Sequence, residues 1–142
     1  MTVRLRRSEL ATPGSQQKMI TKAAESAADL VFLDLEDAVA PAEKERARAQ
    51  VIEALNSLDW GRKTRAVRIN SVDTVWAHDD IIDVVTGAGA HLDIIIVPKV
   101  KAPRDVWFVE TLLLQLEAKQ FLNLSFPRHA WHSYEWCIFY RR

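Results

Sequence analysis

Four times along this chain a short apolar run gives way to a longer stretch whose apolar residues return at helical intervals. That alternation constrains the fold more than any other feature. The first unit reads as a strand over 5–10, a turn at "TPGS" and a helix with Ser15 as its N-cap, its apolar face drawn from Met19, Ile20, Ala23, Ala24 and Ala27. The second joins a strand over 30–35 to a helix that Pro41 opens, with Ala47, Val51, Ile52 and Leu55 at helical intervals. "TRAVRIN" and a helix over 78–86 form the third unit, and the nearly continuous β-branched run "LDIIIVPKV" with a helix over 104–119 the fourth. Strands separated by helices are joined by crossovers and run parallel. The expected class is α/β, either an open doubly wound sheet or part of a (β/α)8 barrel. Length does not choose between them, since a whole barrel takes about 250 residues.

With 142 residues, 49% of them hydrophobic and 27% charged, the chain can bury a real core, which excludes disordered and collagen-like classes. Nineteen basic and nineteen acidic residues cancel, so no global field argues for nucleic acid or an anionic membrane. Cys137 is the only cysteine, "MTVRLRRSEL" lacks the apolar core of a secretory signal, and no apolar run approaches the roughly 18–20 residues that span a bilayer. The expected location is the cytoplasm, with neither membrane nor nucleic acid as a partner. From Gln120 the character changes. "QFLNLSFPRHAWHSYEWCIFYRR" crowds His129, His132, Trp131, Trp136, Tyr134, Tyr140 and Cys137 together without a clear period of either kind. Residues 120–142 read as an atypical tail, out of frame or truncated, rather than an aromatic segment packed over the domain.

Strand ends are where parallel α/β folds place their chemistry. "VFLDLEDAV" sets Val31, Leu33 and Leu35 on one face of the second strand and Phe32, Asp34 and Glu36 on the other. Carboxylates on a buried face need a cation, a metal or a water-filled mouth. The third strand offers a cation: Ala66, Arg68 and Asn70 face opposite to Val67 and Ile69, so Arg68 meets Asp34 and Glu36 if the two strands are neighbours. Its planar fork suits a plain buried salt bridge or a grip on a carboxylate or enolate-like oxygen. Asp37 can cap the following helix, and Glu43, Lys44, Glu45, Arg46 and Arg48 read as that helix's solvated face. Lys18 and Lys22 lie one turn apart near the positive end of the first helix, either as surface lysines or as a grip for phosphate groups. Lys99, at the fourth strand's exit, is a candidate Schiff-base lysine. His129, His132 and Cys137 have loose metal-like spacing without a CxxC or HExxH, so no zinc site is assigned. "DLVFLDLED" and "IIIVPK" also imitate a receiver-like signalling domain, but "RRSELATPG" holds one acid, Glu9, where such a domain needs two.

Taken in order, "RSELATPGS", "KAAESAADLVFLDLEDAVAPAEKERAR", "LDWGRKTRAVRIN" and "LDIIIVPKV" resemble the HpcH/HpaI aldolase and citrate lyase beta-subunit-like family, especially its malyl-CoA/beta-methylmalyl-CoA lyase branch, over residues 6–119. The resemblance implies a TIM (β/α)8 barrel, usually in a homo-oligomer, of which residues 1–119 would form the N-terminal half with four βα units. It implies Mg2+-dependent cleavage or formation of the carbon–carbon bond of a 3-hydroxyacyl-CoA, with an acyl-CoA and glyoxylate or another 2-oxo acid as the other partners. Coenzyme A enters as part of the substrate. Carried over by motif, Arg68 of "VRIN" matches the arginine that binds the substrate oxygen and stabilises enolate-like charge. Glu36 and Asp37 match an acid pair that positions metal-bound water and the arginine. Lys22 and Lys18 match basic positions that hold the CoA phosphates, while Ala11 and Gln16 stand where relatives can carry an aromatic and an arginine. The family's two magnesium ligands, a glutamate after the fifth strand and an aspartate after the sixth, belong to segments expected to begin near Gln120, and no match is found there. Glu135 lacks the surrounding motif, so no metal ligand is assigned. The expectation is a CoA-ester lyase by descent that does not turn over as this chain, with a non-catalytic CoA-binding or interaction fragment as the alternative.

Overall fold

The structure, a computed structural model, describes residues 6–120 and, as backbone, residues 131–133 and 136–140. β1 (Glu9–Pro13) leads to α1 (Gln17–Glu25), and β2 (Leu30–Asp34) leads through a 3-10 turn (Pro41–Glu43) to α2 (Lys44–Ser57). β3 (Thr64–Arg68) leads to α3 (Ala77–Ala88), and β4 (Ile94–Pro98) to α4 (Pro103–Gln120). The four strands are parallel and lie in the order β1-β2-β3-β4. This order decides between the two architectures left open by the sequence. A doubly wound sheet reverses direction and keeps its first strand inside, as in the 2-1-3-4-5 order of receiver-type sheets. Here every crossover adds the next strand on the same side, as in the wall of a (β/α)8 barrel.

The sequence places a strand in the tail nowhere, yet β5 (Trp131–Ser133) and β6 (Trp136–Tyr140) form an antiparallel pair, and β6 lies antiparallel to β4. β6 carries Trp136, Ile138, Phe139 and Tyr140, residue types that favour strands. His129, Tyr134 and Glu135 lie outside the described residues, as do the side chains of His132 and Cys137.

β1 begins later than its apolar pattern suggests because its partner sets the register. Glu9 stands opposite Leu30 and Pro13 opposite Asp34, while Leu30 stands opposite Thr64 and Asp34 opposite Arg68. The ladder continues past β1, where the Gly14 amide donates to the Asp34 carbonyl at 2.8 Å. The helix therefore starts one residue beyond expectation: Gln16, not Ser15, occupies the N-cap of α1, and no side chain caps it. Ile20, Ala23 and Ala24 are buried as expected, whereas Met19 is half exposed and Ala27 lies past the helix end.

The sheet separates two apolar layers. On the helix side, Val31, Leu33, Leu35, Val67, Ile69, Ile95 and Val97 pack against residues such as Ile20, Val51, Leu55, Ile81 and Val109. Each such side chain contributes about 1.5–3 kcal/mol on full burial. The other face carries Leu30, Ala66, Ile94 and Ile96, with Phe32 beside them. Asp34 and Arg68 continue this second face at the C-terminal ends of β2 and β3. Among the described residues no helix is long and apolar enough to cross a membrane.

Candidate functional site

Level strand ends bring the opening acids to their cation. Arg68 Nε donates to Asp34 Oδ1 at 2.7 Å and Nη2 to Oδ2 at 2.5 Å, a two-pronged pair with side chains only 13% and 3% exposed. Arg68 Nη1 also lies 3.6 Å from Glu36 Oε2, and its guanidinium sits 5.5 Å from the centre of the Phe32 ring. Asp34 accepts two further hydrogen bonds, from the backbone amides of Glu36 at 2.8 Å and Ala38 at 3.0 Å. Burial alone pushes the Asp34 carboxyl up, but Arg68 and the two amides outweigh it and hold the group below the ordinary carboxylate range. The same bonds, donated by Arg68 to Asp34, raise the guanidinium further. The arginine thus keeps its charge and one orientation.

Lys99 follows β4 with a left-handed backbone, φ +52°, unusual for a residue with a Cβ. Its Nζ lies 2.9 Å from Glu36 Oε1 and 3.0 Å from Asp37 Oδ1. Bonding to Glu36 and Asp37 raises the Lys99 ammonium, the opposite of the neutral amine that Schiff-base chemistry requires. The Schiff-base reading of Lys99 is corrected accordingly. Asp37 does not cap the next helix either: Ala40 precedes the 3-10 turn without a side-chain cap, and Asp37 turns to Lys99. Glu36 is buried, and its carboxylate stands between two cations, Lys99 at 2.9 Å from Oε1 and Arg68 at 3.6 Å from Oε2. Lys101 reaches the other way, to Asp73 Oδ2 at 2.5 Å, and with Ser71 it brings Asp73 down to about 2. The two lysines of "PKVK" clip the β4–α4 loop to the loops that follow β2 and β3.

Behind these exits the charge run of α2 departs from expectation. Lys44 and Arg48 are buried, while Glu43, Arg46 and Glu45 stay at the surface or partly so. Lys44 Nζ donates to the carbonyls of Leu35 and Glu36 and to Asn70 Oδ1. Burial lowers the Lys44 ammonium, which Asp80 and the site's acids partly offset. Asn70, expected beside Arg68, turns instead to the helices: its amide and Nδ2 donate to Asp80 Oδ2, and Arg48 Nε donates to Asp80 Oδ1. Helical spacing held the missed signal. Residues 44, 48, 51 and 55 recur at intervals of four, three and four, placing Lys44 and Arg48 on the stripe of Val51 and Leu55.

Lys18 and Lys22 are exposed on α1. Lys22 lies in the last turn, away from the helix's positive end. Among the described residues no three His, Cys, Asp or Glu side chains converge as a metal ion would need, and Asp34, Glu36 and Asp37 already face Arg68 or Lys99. These residues do not by themselves fit a magnesium ion.

The chain resembles known proteins over this same framework. The L-malyl-CoA/beta-methylmalyl-CoA lyase of Cereibacter sphaeroides is 49% identical over 111 residues, 78% of this chain and 35% of that protein. The chain thus spans about a third of that relative's length. Among solved structures, the citrate lyase beta subunit of M. tuberculosis, complexed with oxaloacetate and magnesium, is 32% identical with a TM-score of 0.61, over 75% of this chain and 46% of that one. Haloferax volcanii malate synthase shares the fold at 18% identity and a TM-score of 0.75, over 87% of this chain and 39% of that one. The family model for HpcH/HpaI aldolase/citrate lyase matches residues 7–121, a span that holds both strand exits and the Arg68 cluster. This chain belongs to the HpcH/HpaI aldolase/citrate lyase family.

Proposed function

We propose that the chain carries the enolate-binding part of a CoA-ester carbon–carbon lyase of the malyl-CoA/citramalyl-CoA type. In that reaction the hydroxyl of a 3-hydroxyacyl-CoA gives up its proton to a base as the carbon–carbon bond breaks, the hydroxyl-bearing carbon becomes the carbonyl of glyoxylate or another 2-oxo acid, and negative charge collects on the thioester oxygen before the acyl-CoA takes up a proton. Arg68 is the group suited to that charge. The observation that carries the reading is its clamp: Asp34 holds the guanidinium by two bonds at the strand exits, in a largely buried setting. A preoriented donor in a dry site stabilises developing charge without reorganising, which is the largest contribution in many enzymes.

Glu36 and Asp37 act on the reacting groups through Arg68 and Lys99, and Lys22 and Lys18 serve the CoA phosphates from the exposed face of α1. Magnesium is a family expectation that the described residues do not meet, so the chain by itself is proposed to bind rather than turn over. The same observation favours the second reading, a CoA-binding or interaction fragment without catalysis. In the whole protein we propose cytoplasmic location and a homo-oligomeric state.

A Mg2+-dependent assay of the purified chain with malyl-CoA, detecting glyoxylate beside an Arg68→Ala control, tests the reading. Turnover that the control abolishes would establish the lyase and overturn the proposed inactivity. No turnover, with CoA binding that weakens on Lys22→Ala, would support the binding reading. A folded chain that neither turns over nor binds CoA would refute both.

A further inference from the structure

We infer that Lys44 is a positioning residue: from behind the strand exits its ammonium fixes the chain at Leu35 and Glu36 and so delivers the Glu36 carboxylate between Arg68 and Lys99. Its bearing on the reaction rests on the reading of Arg68 above, but its geometry does not.

Three observations lead there. The first is that the Glu36 carboxylate is buried and is met only by two cations, Lys99 at 2.9 Å and Arg68 at 3.6 Å. Whether it reaches both depends on how its backbone is held. The second is that both backbone groups of Glu36 are gripped: Asp34 Oδ1 takes its amide at 2.8 Å, and Lys44 Nζ gives to its carbonyl at 2.6 Å. Lys44 also reaches the preceding carbonyl, Leu35 O, at 2.7 Å. In an extended strand successive residues point to opposite sides, so one ammonium can meet two successive carbonyls only where the chain turns. Lys44 holds the chain at the point where β2 stops being a strand.

The third is that the lysine is itself fixed. It is 5% exposed, and its remaining donor goes to Asn70 Oδ1 at 2.6 Å, so three donors meet three acceptors. Asn70 is anchored by two bonds to Asp80, and Asp80 by Arg48, which also pairs with Asp83 at 2.9 Å. The Trp76 ring closes the other flank, 5.4 Å from Nζ. The brace thus runs from α3 through α2 to the exit of β2.

Two measurements on the full chain test the inference without any substrate. In a 15N-labelled sample at neutral pH, Lys44 should give a slowly exchanging Nζ ammonium correlation, assigned through its own side-chain carbons, while exposed Lys18 and Lys22 give none. Competitive acetylation with acetic anhydride, read by peptide mass spectrometry, should show Lys99 reacting more slowly than Lys18 and Lys22. In Lys44→Met the Lys99 rate should rise severalfold toward theirs, with Lys44→Arg partly restoring protection. A merely structural lysine would leave the Lys99 rate unchanged in a folded variant, and that result overturns the inference. Absence of a protected Lys44 signal in the unsubstituted chain overturns it too, even if Lys44→Met fails to fold. Loss of CoA binding or turnover, by contrast, would bear only on the function proposed above.

Discussion

At the scale of single residues the Asp34–Arg68 pair carries most of the electrostatic risk. Asp34→Asn takes from a largely buried guanidinium its two-pronged partner and leaves it only Glu36 at 3.6 Å; breaking such a pair costs about 3 kcal/mol, which urea unfolding of variant and parent should show. The pH dependence follows in sign. Because the folded-state value of Asp34 is depressed, its stabilisation is complete above the unfolded carboxylate value of about 3.9 and fades as pH falls through the folded value. Thermal midpoints between pH 5 and pH 2 should therefore fall less steeply in Asp34→Asn than in the parent. Arg68→Lys should not restore the stability that Arg68→Ala removes, because an ammonium cannot make the two-pronged contact with Asp34; equal urea midpoints for arginine and lysine forms would refute this. The alternation of β2 and β3 announced this pair. It could not announce Lys99, whose partners come from a loop two strands away.

At the scale of elements, the β1–α1 turn and the α2–α3 interface set the site's floor. A Cβ on Gly14 would lie 2.8 Å from the Asp34 carbonyl oxygen and 2.9 Å from Val51 Cγ2. Neither neighbour can yield without moving β2 or α2, so Gly14→Ala should cost about 2 kcal/mol in denaturant unfolding. A neutral result would mean the turn can move away from β2. Across the helices, Asp80 is fully buried and accepts from Arg48 and twice from Asn70. Asp80→Ala strands those donors and should lose about 4 kcal/mol, or prevent folding, as read by calorimetry. These elements were legible in existence and type, with boundaries displaced by a residue or a few. The burial of Lys44 and Arg48 was not, because a charged residue on an apolar stripe reads as a solvated one until its partners after β2 and β3 and on α3 are known.

At the scale of the whole molecule, β1 is one of the two terminal strands of its sheet among the described residues, and α4 exposes Trp107 at 64% along with Phe108. An open strand edge and exposed aromatic side chains both favour association. Sedimentation velocity should show a concentration-dependent shift to larger species, reduced by Trp107→Glu; a monomer at every concentration would count against it. The sequence by itself determined four parallel βα units and the division of β2 into an apolar and an acidic face, since both are written in local periods of 3.6 and 2. It also marked Arg68 as the cation for those acids. Only the tertiary structure decided that the strands follow one another as in a barrel wall, that Lys99 pairs with Glu36 and Asp37, and that Lys44 lies beneath the site. Each of these depends on which distant segments become neighbours, and local periodicity carries no information about that choice.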